Sequence, residues 1–103
     1  MTPYDLTPTP PPFELLARAS GVARRLHRRE SDEVSRSDLE HLLFDLRVIQ
    51  DECQPAILTR ARARVAVLLA RTPHDDWLRE AELEGIDACL RAVAAEWDIT
   101  PPR

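Results

Sequence analysis

The 103-residue sequence contains no lysine and no asparagine, and it has only two glycines, Gly21 and Gly85. All 14 basic residues are arginine, which a GC-rich genome would produce, although arginine also makes bidentate contacts with phosphate and carboxylate. Two glycines are too few for a phosphate-cradling loop, and no G-x-S-x-G, P-loop or G-x-G-x-x-G motif occurs. We therefore expect no enzymatic activity and no cofactor. Each glycine falls inside a predicted helix, where close approach of a neighbouring helix would explain it.

Long apolar runs and clusters of metal-ligating residues are also missing. The sequence has no run of about 18 apolar residues, which a membrane-spanning helix would require. It also has no basic segment followed by an apolar stretch, the pattern of a secretory signal. We therefore expect a cytoplasmic protein. His27, His41 and His74 lack the i, i+3 or i, i+4 spacing of a helical metal site. Cys53 and Cys89 lack CxxC spacing, and we expect both to be buried, reduced thiols.

Proline is concentrated at the N-terminal end of the sequence. Five of the nine prolines stand at Pro3, Pro8, Pro10, Pro11 and Pro12. Because proline fixes φ and lacks a backbone donor, residues 1–12 are predicted to be an extended or polyproline-like arm. The arm is either a solvated tail or is anchored across a helical surface or a partner by Tyr4, Leu6 and Phe13. Residues 99–103 are predicted to be a C-terminal tail.

Between these segments, apolar residues recur every three or four positions, without β-type alternation and without an internal repeat. We predict a single all-α domain over residues 13–98, a small antiparallel bundle of three to four helices. The first helix is expected to run from Pro12 to Arg29. The second is expected to begin at Ser37, which forms a capping box with Glu40.

Pro55 decides whether the second and third helices are separate. Proline removes one helical hydrogen bond and clashes with the carbonyl four residues back, which favours a sharp break over residues 52–55 with Pro55 as the first residue of helix three. The apolar stripe nevertheless continues in phase through this region, so one kinked helix over residues 37–71 is the alternative.

The fourth helix has a clear predicted start. Thr72 suits the N-cap and Pro73 the first helical position. Trp77 and Leu78 are expected to begin its core stripe.

The net charge changes sign from one predicted helix to the next. It is +3 for residues 13–30, −4 for 37–54, +4 for 55–71 and −6 for 73–98. Because sequential antiparallel helices lie side by side, this alternation favours a packing order in which opposite charges face each other. We expect acids of the fourth helix to pair with arginines of the third, with Glu80, Glu82, Glu84 and Asp87 on one side and Arg60, Arg64 and Arg71 on the other.

The third helix carries a second apolar face, opposite its core stripe. That face consists of Ala63, Ala66, Val67 and Ala70. A helix that is apolar on two sides is usually buried on two sides. The helix is therefore either central in the bundle or part of a homodimer interface, and we favour the homodimer.

Two charged surfaces are alternative candidates for contact with a partner. An arginine strip on the first helix is a candidate for contacts with nucleic acid or with an acidic partner: Arg18, Arg24, Arg25, Arg28 and Arg29. The acids of the fourth helix are candidates for contact with a basic partner: Glu80, Glu82, Glu84 and Asp87.

The function that these features favour is that of a non-enzymatic, self-associating helical protein–protein interaction module, such as a small regulator, adaptor or inhibitor. The first alternative is a nucleic-acid-associated protein that uses the arginine strip. The second is an inhibitor of a nucleic-acid-handling machine, encoded by a phage or mobile element. The sequence does not identify the protein partner.

Overall fold

The computed structural model describes residues 11–97, which form four α-helices joined by short loops. The helices are α1 (Pro11–Arg29), α2 (Glu33–Glu52), α3 (Ala56–Arg71) and α4 (Trp77–Glu96). No strand occurs within this part of the chain, which confirms the all-α class. The predicted arm lies outside the described residues except for Pro11 and Pro12, with which α1 begins, and the predicted tail lies outside them too.

Each helix packs against two others in a closed ring, in the order α1, α2, α3, α4 and back to α1. Neighbours run antiparallel. His27 near the end of α1 lies 3.3 Å from Glu40 in the first half of α2. Phe13 at the start of α1 meets Trp97, just after α4, edge to face with ring centroids 6.1 Å apart. α1 and α3 therefore lie diagonally opposite each other.

The core consists of apolar residues spaced three or four positions apart on each helix. Its largest fully buried side chains are Leu16, Leu39, Leu42, Leu46, Ile49, Leu58, Val65, Leu68, Leu83, Ile86, Leu90 and Val93. Each buried residue of this size contributes about 1.5–3 kcal/mol relative to an exposed one. Buried alanines on α1 and α3, at Ala19, Ala23 and Ala61, belong to the same core.

A sharp break separates α2 from α3, and the alternative of one kinked helix is wrong. Cys53 takes a left-handed conformation (φ 51°, ψ 53°), and its N–H donates to the Ile49 carbonyl at 2.9 Å, which ends α2. Pro55 is the N-cap of α3, so the helix begins at Ala56, one residue later than expected. The Cys53 side chain is exposed, contrary to the prediction, because a residue in the turn no longer lies on the helix stripe.

The second helix begins one turn before the predicted capping box. Asp32 is the N-cap of α2, and its carboxylate accepts a hydrogen bond from the Val34 N–H at 3.0 Å. Ser37 and Glu40 are therefore interior residues of α2, and both are exposed. The earlier cap is available because Asp32 has the extended backbone that an N-cap requires.

The fourth helix begins later than predicted. Asp76 is its N-cap and accepts from the Arg79 N–H at 3.3 Å. Thr72 instead follows the last residue of α3, and its hydroxyl donates to the Leu68 carbonyl at 2.8 Å. The predicted core role of Trp77 and Leu78 is wrong, since they are 70% and 47% exposed.

Close helix approach does not explain the two glycines. A Cβ built on Gly21 or on Gly85 would meet no atom within 4 Å. Both residues have ordinary negative φ values, so neither the space around them nor the backbone requires glycine.

Candidate interaction surfaces

A strip of uncharged residues follows the outer side of α3 over four turns. Its exposed residues are Ala56, Thr59, Ala63, Ala66, Val67 and Ala70. Val67, the largest of them, is 45% exposed. The predicted second apolar face, Ala63, Ala66, Val67 and Ala70, therefore lies on the surface of the bundle. Together with Ala56 and Thr59, these residues are called the α3 face.

Arginines border the α3 face on the side of α2, and each is held by a carboxylate of that helix. Arg71 donates to Asp38 at 2.6 Å. Arg64 and Arg60 lie 3.5 Å and 3.9 Å from the buried carboxylate of Asp45. The prediction that these arginines pair with α4 is wrong, because both α2 and α4 flank α3 and the arginines project from the α2 side.

A shallow cavity lies along this border. It has a volume of about 340 Å³ and is lined by Asp38, Arg60, Ala63, Arg64 and Val67. Apolar atoms of the α3 face and the paired charges of the border thus form one continuous surface.

The arginine strip of α1 is divided by its contacts. Arg29 donates to Glu82 of α4 at 2.8 Å, and Arg25 lies 3.6 Å from the same carboxylate. Among the described residues, no acid pairs with the remaining members of the strip, which are exposed: Arg18, Arg24 and Arg28. The attraction between oppositely charged neighbouring helices therefore includes a contact between the basic α1 and the acidic α4.

The acidic residues of α4 do not form one continuous surface for a partner. Glu82 is engaged by α1, and its side chain is only 17% exposed. Asp87 lies 2.9 Å from Arg91 one turn later in the same helix. Glu80 and Glu84 are exposed, so these two remain candidates for contact with a basic partner.

A second surface, between α1 and α2, was not singled out from the sequence. Phe44 on α2 is 65% exposed and lies in a groove of about 490 Å³ between the two helices. The signal that was available is that α2 has more apolar residues than one stripe requires, because Leu43, Phe44 and Val48 add to its core positions.

A buried ion pair also escaped the sequence analysis. The guanidinium of Arg79 at the start of α4 lies 3.1 Å from the carboxylate of Glu30 after α1, and the two side chains are 9% and 14% exposed. The sequence does not reveal that Arg79 is buried, because its burial depends on how α4 packs against the loop between α1 and α2.

Metal-ligating side chains do not converge in the part of the chain that the structure describes. Over residues 11–97, no three His, Cys, Asp or Glu side chains lie close enough together to hold a metal ion. Cys53 is exposed and Cys89 is partly buried, and neither forms a disulfide.

The comparisons with known proteins do not place the chain in a family. No family model matches it, and no significant match to a curated protein or to a solved structure was found. None of the four helices is both long and apolar enough to cross a bilayer.

Proposed function

We propose that this chain is a non-enzymatic protein–protein interaction module, a small regulator, adaptor or inhibitor, that forms a homodimer through the α3 face. The observation that carries the proposal is the absence of charge from this face in a chain whose residues are 31% charged. Covering such a face removes apolar area from water without desolvating an ion, which is the favourable case for association.

The composition of the face supports a contact between two copies. A two-fold interface brings the same surface of each copy together, so the surface must tolerate itself. An uncharged face does so, whereas an arginine-rich face would repel its own copy. Alanine at Ala63, Ala66 and Ala70 would also allow two helix axes to approach near the lower end of the usual 8–10 Å range.

The border charges support the same conclusion. Because Arg60, Arg64 and Arg71 are already paired with α2, a partner that covers the α3 face need not supply carboxylates to them. They would form a polar rim around an apolar centre, which is the usual arrangement of a protein interface.

The test is the sedimentation of Ala66→Glu against Ala17→Glu. Both alanines are exposed within helices, but Ala17 lies on α1, diagonally across the bundle from α3. We expect wild type and Ala17→Glu to sediment as dimers, and Ala66→Glu to sediment as a monomer, because the new charge would be desolvated in the interface. A monomeric wild type, or an Ala66→Glu variant of unaltered mass, would rule out this interface.

A nucleic-acid-associated function is the second candidate. It is favoured by Arg24 and Arg28, which are exposed one helical turn apart on α1. Two such arginines can contact adjacent phosphates, and the binding would weaken steeply with salt. Fluorescence anisotropy with a labelled duplex at about 50 mM salt tests it. Binding that is lost in Arg24→Ala/Arg28→Ala but kept in Arg47→Ala would support it, and no binding by wild type would eliminate it.

The inhibitor encoded by a phage or mobile element is a narrower form of the leading proposal. It would rely on the exposed acids Glu80 and Glu84 to engage a basic surface of a nucleic-acid-handling machine. Affinity capture from the native host with wild type and with Glu80→Gln/Glu84→Gln tests it. A partner recovered equally by both proteins would show that these acids are not the contact.

A further inference from the structure

The groove between α1 and α2 leaves an aromatic ring uncovered. Phe44 keeps 65% of its surface exposed although it lies in the middle of a 20-residue helix. Leu43 and Gln50, both partly buried, line the groove from the same helix, and the buried Ser20 lines it from α1. Covering the Phe44 ring would remove apolar area from water, which favours association. The groove is therefore a candidate site for an apolar side chain of a partner.

Two arginines on the α1 side of this groove have no acidic partner in the part of the chain that the structure describes. Arg24 lines the groove, and Arg28 is exposed one helical turn further on, about 6 Å along the axis. His27 lies 3.3 Å from Glu40, and this contact sets the register of the antiparallel α1 and α2. In that register Arg24 is nearly level with Phe44. A partner that covers the ring therefore meets two positive charges on the α1 side.

The acids of the groove decide which kind of anion fits it. Glu40 and Asp51 lie towards its opposite ends, about 16 Å apart along α2. A nucleic-acid strand carries a phosphate at every nucleotide, so a strand that followed the groove would bring phosphates close to both carboxylates. A peptide can place its carboxylates opposite Arg24 and Arg28 alone and present neutral side chains elsewhere. The groove therefore favours an acidic peptide over nucleic acid.

The shape of the groove suits a helical peptide. Its volume of about 490 Å³ lies between two antiparallel helices, and an amphipathic third helix can lay its apolar face into such a groove. Apolar side chains at positions i, i+3 and i+7 of that helix would span about 10 Å, which is less than the length of the groove. Carboxylates at i and i+4 would repeat at about 6 Å, which is the axial spacing of Arg24 and Arg28.

We propose that the α1–α2 groove binds an acidic amphipathic helix of a partner protein. The apolar stripe of that helix covers the Phe44 ring, and two of its carboxylates, one turn apart, pair with Arg24 and Arg28. The groove lies away from the α3 face, because α1 is diagonally opposite α3 in the ring of helices. The contact therefore goes beyond the proposed homodimer and is independent of it.

The first test is fluorescence anisotropy of the full chain with a labelled helical peptide of leucine, glutamate and alanine, with leucine in one stripe and glutamate beside it. We expect saturable binding, which Phe44→Ala and Arg24→Gln/Arg28→Gln should each weaken about tenfold, because they remove apolar contact area and both ion pairs respectively. Two exposed controls outside the groove, Val34→Ala and Arg18→Gln, should keep the affinity. No saturable binding by wild type, or equal binding by Phe44→Ala, would overturn the proposal.

The second test separates an acidic helix from other ligands of the groove. The same peptide with glutamine in place of glutamate should bind about tenfold more weakly, since it lacks both carboxylates. The peptide with alanine in place of leucine should lose binding, since nothing then covers the Phe44 ring. An unlabelled DNA duplex should not displace the original peptide. Equal binding of the glutamine peptide, or displacement of the original peptide by the duplex, would refute the assignment of this groove to an acidic helix.

Discussion

Arg79 and Glu30 connect the start of α4 to the loop between α1 and α2 through a largely buried ion pair, with 3.1 Å between Nη1 and Oε2. Glu30 also accepts a hydrogen bond from the Asp32 N–H at 3.0 Å, so one carboxylate holds both the loop and α4. Within the described residues, the Nε and Nη2 atoms of Arg79 have no hydrogen-bond partner. Its buried charge therefore depends on Glu30.

The first prediction concerns removal of one partner of this pair. Glu30→Ala should lower the free energy of unfolding by about 3 kcal/mol, because it leaves the Arg79 charge buried without compensation. Arg79→Met should cost less, because it keeps the volume and because the Glu30 carboxylate that it leaves is the more exposed of the two groups and still accepts from the Asp32 N–H. Urea denaturation measures both, with Glu84→Ala as an exposed control. An equal loss for Glu30→Ala and Glu84→Ala would show that the pair is not important for stability.

The second prediction concerns the two helix-interior glycines. Gly21→Ala and Gly85→Ala should each raise the free energy of unfolding by about 1 kcal/mol, because alanine has the higher helix propensity. A Cβ at either position meets open space, so no steric cost offsets this gain. The two gains should add, since the residues lie on different helices without a shared contact. Thermal unfolding checks this, and a lower midpoint for either variant would refute it.

The third prediction distinguishes the observed cap of α2 from the one that the sequence suggested. Asp32→Ala should destabilise the protein by about 1 kcal/mol, because the Val34 N–H loses its acceptor. Ser37→Ala should have little effect or a slightly favourable one, since Ser37 is an exposed interior residue of α2. Denaturant midpoints of the two variants decide between the caps, and a larger loss for Ser37→Ala would contradict the position of the helix start.

Local patterns in the sequence were sufficient for the class of fold and for most of the core. The three-and-four spacing of Leu39, Leu42, Leu46 and Ile49 predicts the buried side of α2, and all four are fully buried. The break near Pro55 also followed from local chemistry, because proline cannot continue a helix without losing a hydrogen bond. Local rules did not identify the correct N-cap of α2, because both Asp32 and Ser37 have side chains that suit this position.

Contacts between helices were beyond such reasoning. Alternating helix charge indicates that neighbours attract, but every helix in a ring has two neighbours. Arg64 therefore pairs with Asp45 of α2 instead of an acid of α4, and Glu82 pairs with Arg29 of α1. The burial of Arg79 and the exposure of Trp77 likewise depend on where α4 begins. The position of the helix start decides which residues of its first turn face the core.

The central claim is that two copies meet through the α3 face, and energy transfer between chains tests it most directly. Cys53 is exposed at the α2–α3 corner, so a Cys89→Ser background allows separate donor and acceptor labelling there. An antiparallel contact centred on Ala66 would place the two labels about 40 Å apart. We predict energy transfer when labelled copies are mixed, retained in Ala17→Glu and abolished in Ala66→Glu. Transfer that persists in Ala66→Glu, or that is absent from the parent protein, would contradict the account.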